Sequence, residues 1–210
     1  ELLLELAELT GYPVTLTLMG LGALPASNSQ FLGMLGMHGT YEANLAMNQC
    51  DVMLNIGARF DDRVTGRLSD FSPRSTKIHV DIDPSSINKN VKVDLPIIGD
   101  ASMTIERMIK IWKHKGYQKN DPKIKEWWSD IEGWRGKKCL EFKQEGKIIK
   151  PQYAIRRLFE KTANKDTFIT TEVGQHQMWA AQYYPFEQPN RWMTSGGLGT
   201  MGYGLPAAMG

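Results

Sequence analysis

Leu2, Leu3, Leu6 and Leu9 recur with the spacing of one helical face and predict an opening helix. Gly11 ends it, because glycine takes the left-handed conformation after a helix without a Cβ penalty. The β-branched run Val14 to Thr17 predicts a buried strand. From Gly20 to Gly39, five glycines and a proline break any period, so this stretch reads as an irregular, ligand-facing loop. A helix is expected from Thr40 to Gln49, then apolar strands at Val52 to Ile56, Ile78 to Ile82 and Leu95 to Ile98. Gly99-Asp100 closes the last of these, ahead of a helix from about Ser102.

Strands alternating with helices predict an α/β fold with a doubly wound parallel sheet, whose ligand crevice lies beyond the carboxyl ends of the strands. From His114 to Lys150 the pattern changes to Lys, Glu and Trp without strands, which predicts a helical linker. Pro151 suits the first turn of a new helix. Strands Thr167 to Thr170 and Arg191 to Thr194, a helix from Gly174 to Tyr183 and a glycine loop from Gly196 to Gly204 then open a second α/β unit. The chain thus divides into residues 1–113, 114–150 and 151–210. It starts within one helical pattern and stops within another, so a piece of a longer protein, inactive by itself, is expected.

Lys and Arg number 25 against 23 Asp and Glu in 210 residues, a balance that leaves no electrostatic footprint for nucleic acid or an anionic membrane. No apolar run approaches the roughly 18 residues of a membrane span, and a cytoplasmic location is expected. Cys50 and Cys139 lack CxxC spacing and read as reduced thiols. Trp127, Trp128 and Trp134, spaced helically among charges of both signs, read as packing residues rather than a stacking platform for bases.

Candidate chemistry sits at strand ends. The loop Gly57 to Gly66 carries Arg59, Asp61, Asp62 and Arg63, able to bind phosphate through charge-assisted hydrogen bonds or simply to pair with one another. Asp81 and Asp83 stand where a carboxylate accepts from ribose hydroxyls in dinucleotide folds, although Asp83-Pro84 equally suits a turn and a helix cap. Met34 to Thr40 sets methionines and His38 among glycines, suited to a flat polarizable ring, whereas His79 reads as a core histidine. Val173-Gly174-Gln175-His176 occupies a strand-to-helix junction that favours anions. Gly197 to Gly202 matches GxGxxG, a weak sign of a nicotinamide site.

Six segments in order resemble the acetohydroxyacid synthase (acetolactate synthase) large-subunit family. They are TLMGLG at Thr17 to Gly22, MLGMHGTYEAN at Met34 to Asn44, GARFDDRVTG at Gly57 to Gly66, DIDPSSI at Asp81 to Ile87, VGQHQMW at Val173 to Trp179 and GGLGTMGYGLPAA at Gly196 to Ala208. The resemblance implies a Rossmann-like central FAD-binding domain and the start of a thiamine-diphosphate domain. It implies condensation of two pyruvates to 2-acetolactate and carbon dioxide, or of pyruvate with 2-ketobutyrate to 2-aceto-2-hydroxybutyrate, on the route to valine, leucine and isoleucine. Thiamine diphosphate, Mg2+ and FAD are the implied cofactors, with a homodimer or higher oligomer and a small regulatory subunit as partners.

By the same resemblance, Thr17, Leu18, Met19, Leu35, Gly36, Met37, His38, Gly57, Ala58, Arg59, Asp61, Arg63, Val64, Asp81, Ile82 and Asp100 surround FAD, joined by Gln177, Met178, Gly196 and Gly197. Val173, Gly174, Gln175 and His176 contact the thiamine diphosphate phosphates, while Gly199 and Met201 meet its aminopyrimidine side. Arg63, Asp62, Met37 and His38 line the substrate channel, Arg63 pairing with the second ketoacid's carboxylate. The activating glutamate and the magnesium ligands are expected outside these residues. Glu172 departs from the aspartate common in the family, which leaves its role open. Pyruvate oxidase and glyoxylate carboligase share the three-domain plan, but GMHGTYEAN together with FDDRVTG favours the synthase. A nicotinamide-dependent dehydrogenase and a non-catalytic FAD module are the readings from other classes.

Overall fold

The computed structural model describes residues 1–119 and 121–210; Asn120, inside the expected linker, lies outside the described residues. Helix α1 (Leu2–Thr10) ends as its sequence predicts, with Gly11 at φ 73° and its N–H on the Ala7 carbonyl. Strand β1 (Val14–Leu16) follows and pairs in parallel with β2 (Phe31–Met34). β2 corrects the expectation that Gly20 to Gly39 is wholly irregular. Its Leu32 and Met34 alternate inward, and Gly33, at φ 97°, leaves room for the Thr40 side chain, which a Cβ there would strike. The Thr40 hydroxyl donates to the Leu32 carbonyl at 2.6 Å and accepts from Ala43 N–H at 3.2 Å. One side chain thereby ends β2 and caps helix α2 (Tyr41–Gln49).

Strands β3 (Val52–Ile56), β4 (Thr76–Asp81) and β5 (Leu95–Ile98) form a second parallel sheet in that order. The short helix α3 (Asp62–Thr65) lies between β3 and β4, and α4 (Ala101–Lys115) follows β5. Past α4 come α5 (Pro122–Arg135), an irregular stretch, and α6 (Pro151–Thr162). The expected helical linker is therefore helical only in part. β6 (Ile169–Thr171) and β7 (Trp192–Thr194) pair in parallel on either side of α7 (Gln175–Tyr183), and α8 (Gly204–Met209) follows.

The fold is mixed α/β with parallel pairing throughout, but the ladders stay separate as sheets of two, three and two strands among the described residues. The expected single doubly wound sheet is absent there for lack of hydrogen bonds between the β1–β2 and β3–β5 edges. The largest apolar core spans both ends of the chain. Leu16, Leu21, Leu24 and Met34 pack in it with Ala180, Tyr184, Phe186 and Trp192. A second cluster sets Ile131 of α5 and Trp127, Trp128 and Trp134 against Leu32, Ala43 and Ala46, so the tryptophans are packing residues. Trp128 also donates its indole N–H to the Gly11 carbonyl at 2.7 Å.

Candidate functional site

Parallel pairing puts the carboxyl ends of neighbouring strands on the same edge, and most of the predicted site residues begin there. Thr17 to Met19 follow β1, Leu35 to His38 follow β2, and Gly57 to Val64 follow β3. Asp81 ends β4, with Ile82 next, and Asp100 follows β5. Val173 to His176 follow β6, and Gly196 to Met201 follow β7.

Two of these loops interlock. The Met37 N–H donates to the Arg63 carbonyl at 2.8 Å. Gly36 lies so close to Arg63 and Val64 that a Cβ on it would come within 2.4 Å of the Arg63 carbonyl oxygen. Asn44 holds Gly36 from below, accepting its N–H at 2.7 Å and donating to its carbonyl at 2.9 Å. Met37 and Arg63 are thereby neighbours in space, His38 and Asp62 stand next to them in sequence, and all four are exposed.

The two arginines of this loop differ. Arg59 pairs with Asp61 at 2.6 Å, while Arg63 carries no ion pair among the described residues. Asp61 also accepts from Arg63 N–H, capping α3. That backbone donor, with Arg59 adding to it, holds the Asp61 carboxyl below its usual range. Buried Asn55 shapes the turn above it, donating to the Ala58 carbonyl and accepting from Ala58 N–H. Gly57, at φ 69°, has open space where a Cβ would stand.

Asp81 accepts from Asp83 N–H at 2.9 Å, and Asp83 caps the following turn through Ser85, as the turn reading of Asp83-Pro84 expects. Behind Asp81 sits His79, with no solvent exposure and no hydrogen-bond partner on either ring nitrogen. Its Nε2 is 3.6 Å from Asp81 Oδ2 and its ring meets Phe60 edge-on. Burial pushes its pKa down, with the Asp81 carboxylate pulling against that. Asp100 is a helix cap, accepting from Met103 N–H and the Ser102 hydroxyl, which together hold it below the usual carboxylate range. Neither Asp100 nor Ile82 is joined by a side-chain hydrogen bond to the other predicted residues, among the described ones.

The later segment adds its own contacts. Met19 and Leu18 crowd Gly196, where a Cβ would stand 2.3 Å from the Met19 sulfur. Gln182 of α7 donates to the His38 carbonyl at 2.9 Å. Gln177 turns inward instead. Its buried amide donates to Thr194 Oγ1 at 2.7 Å, and Thr171 donates to the same hydroxyl, tying β6, β7 and α7 together. Gly174, Gly197 and Gly202 leave the backbone free of packed side chains other than His176.

Glu172 has a function that residue type alone did not reveal. One oxygen accepts from Gly202 and Tyr203 N–H at 2.5 and 2.9 Å, the other from Gly204 and Leu205 at 2.6 and 3.4 Å. Desolvation raises its pKa, but the four amides outweigh this and hold the carboxyl below its ordinary value. The only advance signal was an acidic residue at the strand end thirty residues before a glycine-rich helix start.

Two family models match the chain: "Thiamine pyrophosphate enzyme, central domain" over residues 1–108 and "Thiamine pyrophosphate enzyme, C-terminal TPP binding domain" over 172–210. Among curated relatives, the acetolactate synthase isozyme 3 large subunit of Escherichia coli is 50% identical over 206 residues, 98% of this chain and 36% of that protein. An acetolactate synthase large subunit of Haemophilus influenzae is 48% identical over 210 residues, 100% of this chain and 36% of its own length. An acetolactate synthase of Mycobacterium bovis is 46% identical over 211 residues, 100% of this chain and 34% of that protein. The chain thus spans about a third of the length of these relatives. With a central-domain match over its first half and a cofactor-domain match over its end, the chain belongs to the thiamine pyrophosphate enzyme family.

Proposed function

We propose that the chain is the middle part of an acetolactate synthase large subunit, which condenses two pyruvates to 2-acetolactate and carbon dioxide, or pyruvate with 2-ketobutyrate. The observation that carries this reading is the exposed patch of Met37, His38, Asp62 and Arg63. Two interlocked loops bring Met37 against Arg63 and, among the described residues, leave the Arg63 guanidinium without an acidic partner. An unpaired guanidinium suits the planar carboxylate of a 2-ketoacid.

The strand ends fit the implied cofactors. Open backbone at Gly57, exposed Met19, Met37 and Ile82, and the Asp81 carboxylate suit the rings and ribose of a bound FAD within a Rossmann-like domain of residues 1–113. Val173 to His176 offer the free amides of a helix start to a diphosphate, and Gly199 and Met201 offer an accessible carbonyl and thioether beside them. Thiamine diphosphate supplies the carbanion chemistry when bound; these residues bind and orient it. Magnesium, the second chain of a dimer and a small regulatory subunit belong to this reading without residues of this chain assigned to them. So does a cytoplasmic location.

The test is Arg63→Ala in the full-length protein. Losing one charge-assisted pair lowers acetolactate formation roughly 10- to 100-fold while FAD affinity stays within about twofold. Equal losses of both would make Arg63 a structural residue and remove the support.

A further inference from the structure

Between β7 and α8 the backbone passes Gly196, Gly197, Gly199 and Gly202, and residues 197–203 are all exposed. Leu198 is 96% exposed, and Gly197 and Gly202 have no neighbour within 4 Å of a Cβ position. Such a stretch has more conformational freedom than almost any other sequence. Yet side-chain oxygens pin its backbone at two places. Ser195 Oγ accepts from Thr200 N–H at 2.8 Å, and Glu172 takes the four consecutive N–H groups from Gly202 to Leu205.

We propose that Glu172 and Ser195 are positioning residues that hold this loop in the shape that receives thiamine diphosphate before the cofactor binds. The inference rests on the proposed function for the identity of the ligand, and on the hydrogen bonds for the mechanism. Gly199 and Met201 flank Thr200, so each lies within two residues of a pin. A carboxylate suits the larger pin because each oxygen accepts two donors; a carboxamide would turn its own N–H groups toward two of them. Gly204 makes the approach possible. A Cβ there would stand 2.7 Å from the Thr171 carbonyl carbon, so only glycine lets the start of α8 come within reach of Glu172.

The experiment compares Glu172→Gln, Glu172→Asp and Ser195→Ala in the full-length protein, reading thiamine diphosphate affinity, amide hydrogen exchange at residues 200–205 and the melting temperature without cofactor. Glu172→Gln is expected to weaken the cofactor roughly tenfold or more and to speed exchange at 202–205, with little change in melting temperature. Glu172→Asp, which keeps charge and both oxygens, restores most of the affinity. Ser195→Ala speeds exchange at Thr200 and weakens the cofactor less. Unchanged affinity and exchange in Glu172→Gln would overturn the assignment, as would equal damage in Glu172→Asp. If Glu172→Gln does not fold, Ser195→Ala decides, and unchanged exchange and affinity there refute the idea. If the unaltered protein binds no thiamine diphosphate, the functional reading fails instead, while the exchange comparison still reports on the two pins.

Discussion

A histidine with no solvent exposure, and no hydrogen-bond partner among the described residues, stands directly behind the Asp81 carboxylate. His79 is held neutral by burial, so its folded pKa lies below the ordinary value of 6.5. Below about pH 6.5 the unfolded chain takes up a proton that the folded chain refuses. Stability therefore falls on acidification from that point until the folded pKa is passed. Asp61, Asp83 and Asp100, all held below their ordinary values, add a second loss at lower pH, as each depressed pKa is crossed. We expect melting temperature against pH to fall in these two stages, and His79→Phe to remove the upper stage alone. An unchanged profile in that variant would show that His79 does not titrate on unfolding. At this scale the sequence was most legible where one residue does one local thing: Asp83, placed before Pro84, caps the turn that its own neighbours form. Asn55 and Glu172 were not legible, because each acts on backbone whose approach the fold sets.

Among the elements, α5 shows how a helix of weak amphipathic pattern is fixed by one contact face. Ile131 has no solvent exposure and sits among Leu32, Ala43 and Ala46, with Trp127 and Trp134 packed edge to face at 5.4 Å beside it. Truncating a fully buried isoleucine typically costs about 2–5 kcal/mol through lost burial and a residual cavity. Ile131→Ala should lower the denaturant midpoint of the full-length protein accordingly. A loss under about 1 kcal/mol would mean that the pocket collapses around the smaller side chain. Strands β3 and β5 were legible because five and four apolar-rich residues stand between clear breakers. β2 was not. Its four residues include a glycine, and only pairing with β1 and the Thr40 hydroxyl define it as a strand.

Over the whole molecule, the start and end of the chain share a core. Gly22, at φ 87°, passes so close to the later segment that a Cβ would stand 2.2 Å from the Gln188 carbonyl oxygen. Ser27 is bound to the Glu187 carboxylate through its N–H at 3.0 Å and its hydroxyl at 2.6 Å. Gly22→Ala combines a strained backbone with a clash against main chain, and is expected to destabilise by about 2 kcal/mol or more. A denaturant midpoint within about 0.5 kcal/mol of the parent would mean that this junction yields freely. These contacts join residues 160 or more apart in sequence, so no local pattern announces them.

The sequence by itself determined the alternation of strands and helices and the identity of the loops at their ends, because periodicity and breaker residues act over a few neighbours. It also determined family membership, through motifs at Thr17 to Gly22, Gly57 to Gly66 and Gly196 to Ala208. Only the tertiary structure decided that Arg59 is paired and, among the described residues, Arg63 is not, that Gln177 faces inward, and that Glu172 carries four amides. The first depends on how the loop turns neighbouring side chains toward each other, the second on the Thr194 hydroxyl brought up by β7, and the third on distant backbone coming within about 3 Å, none of which residue type or spacing sets.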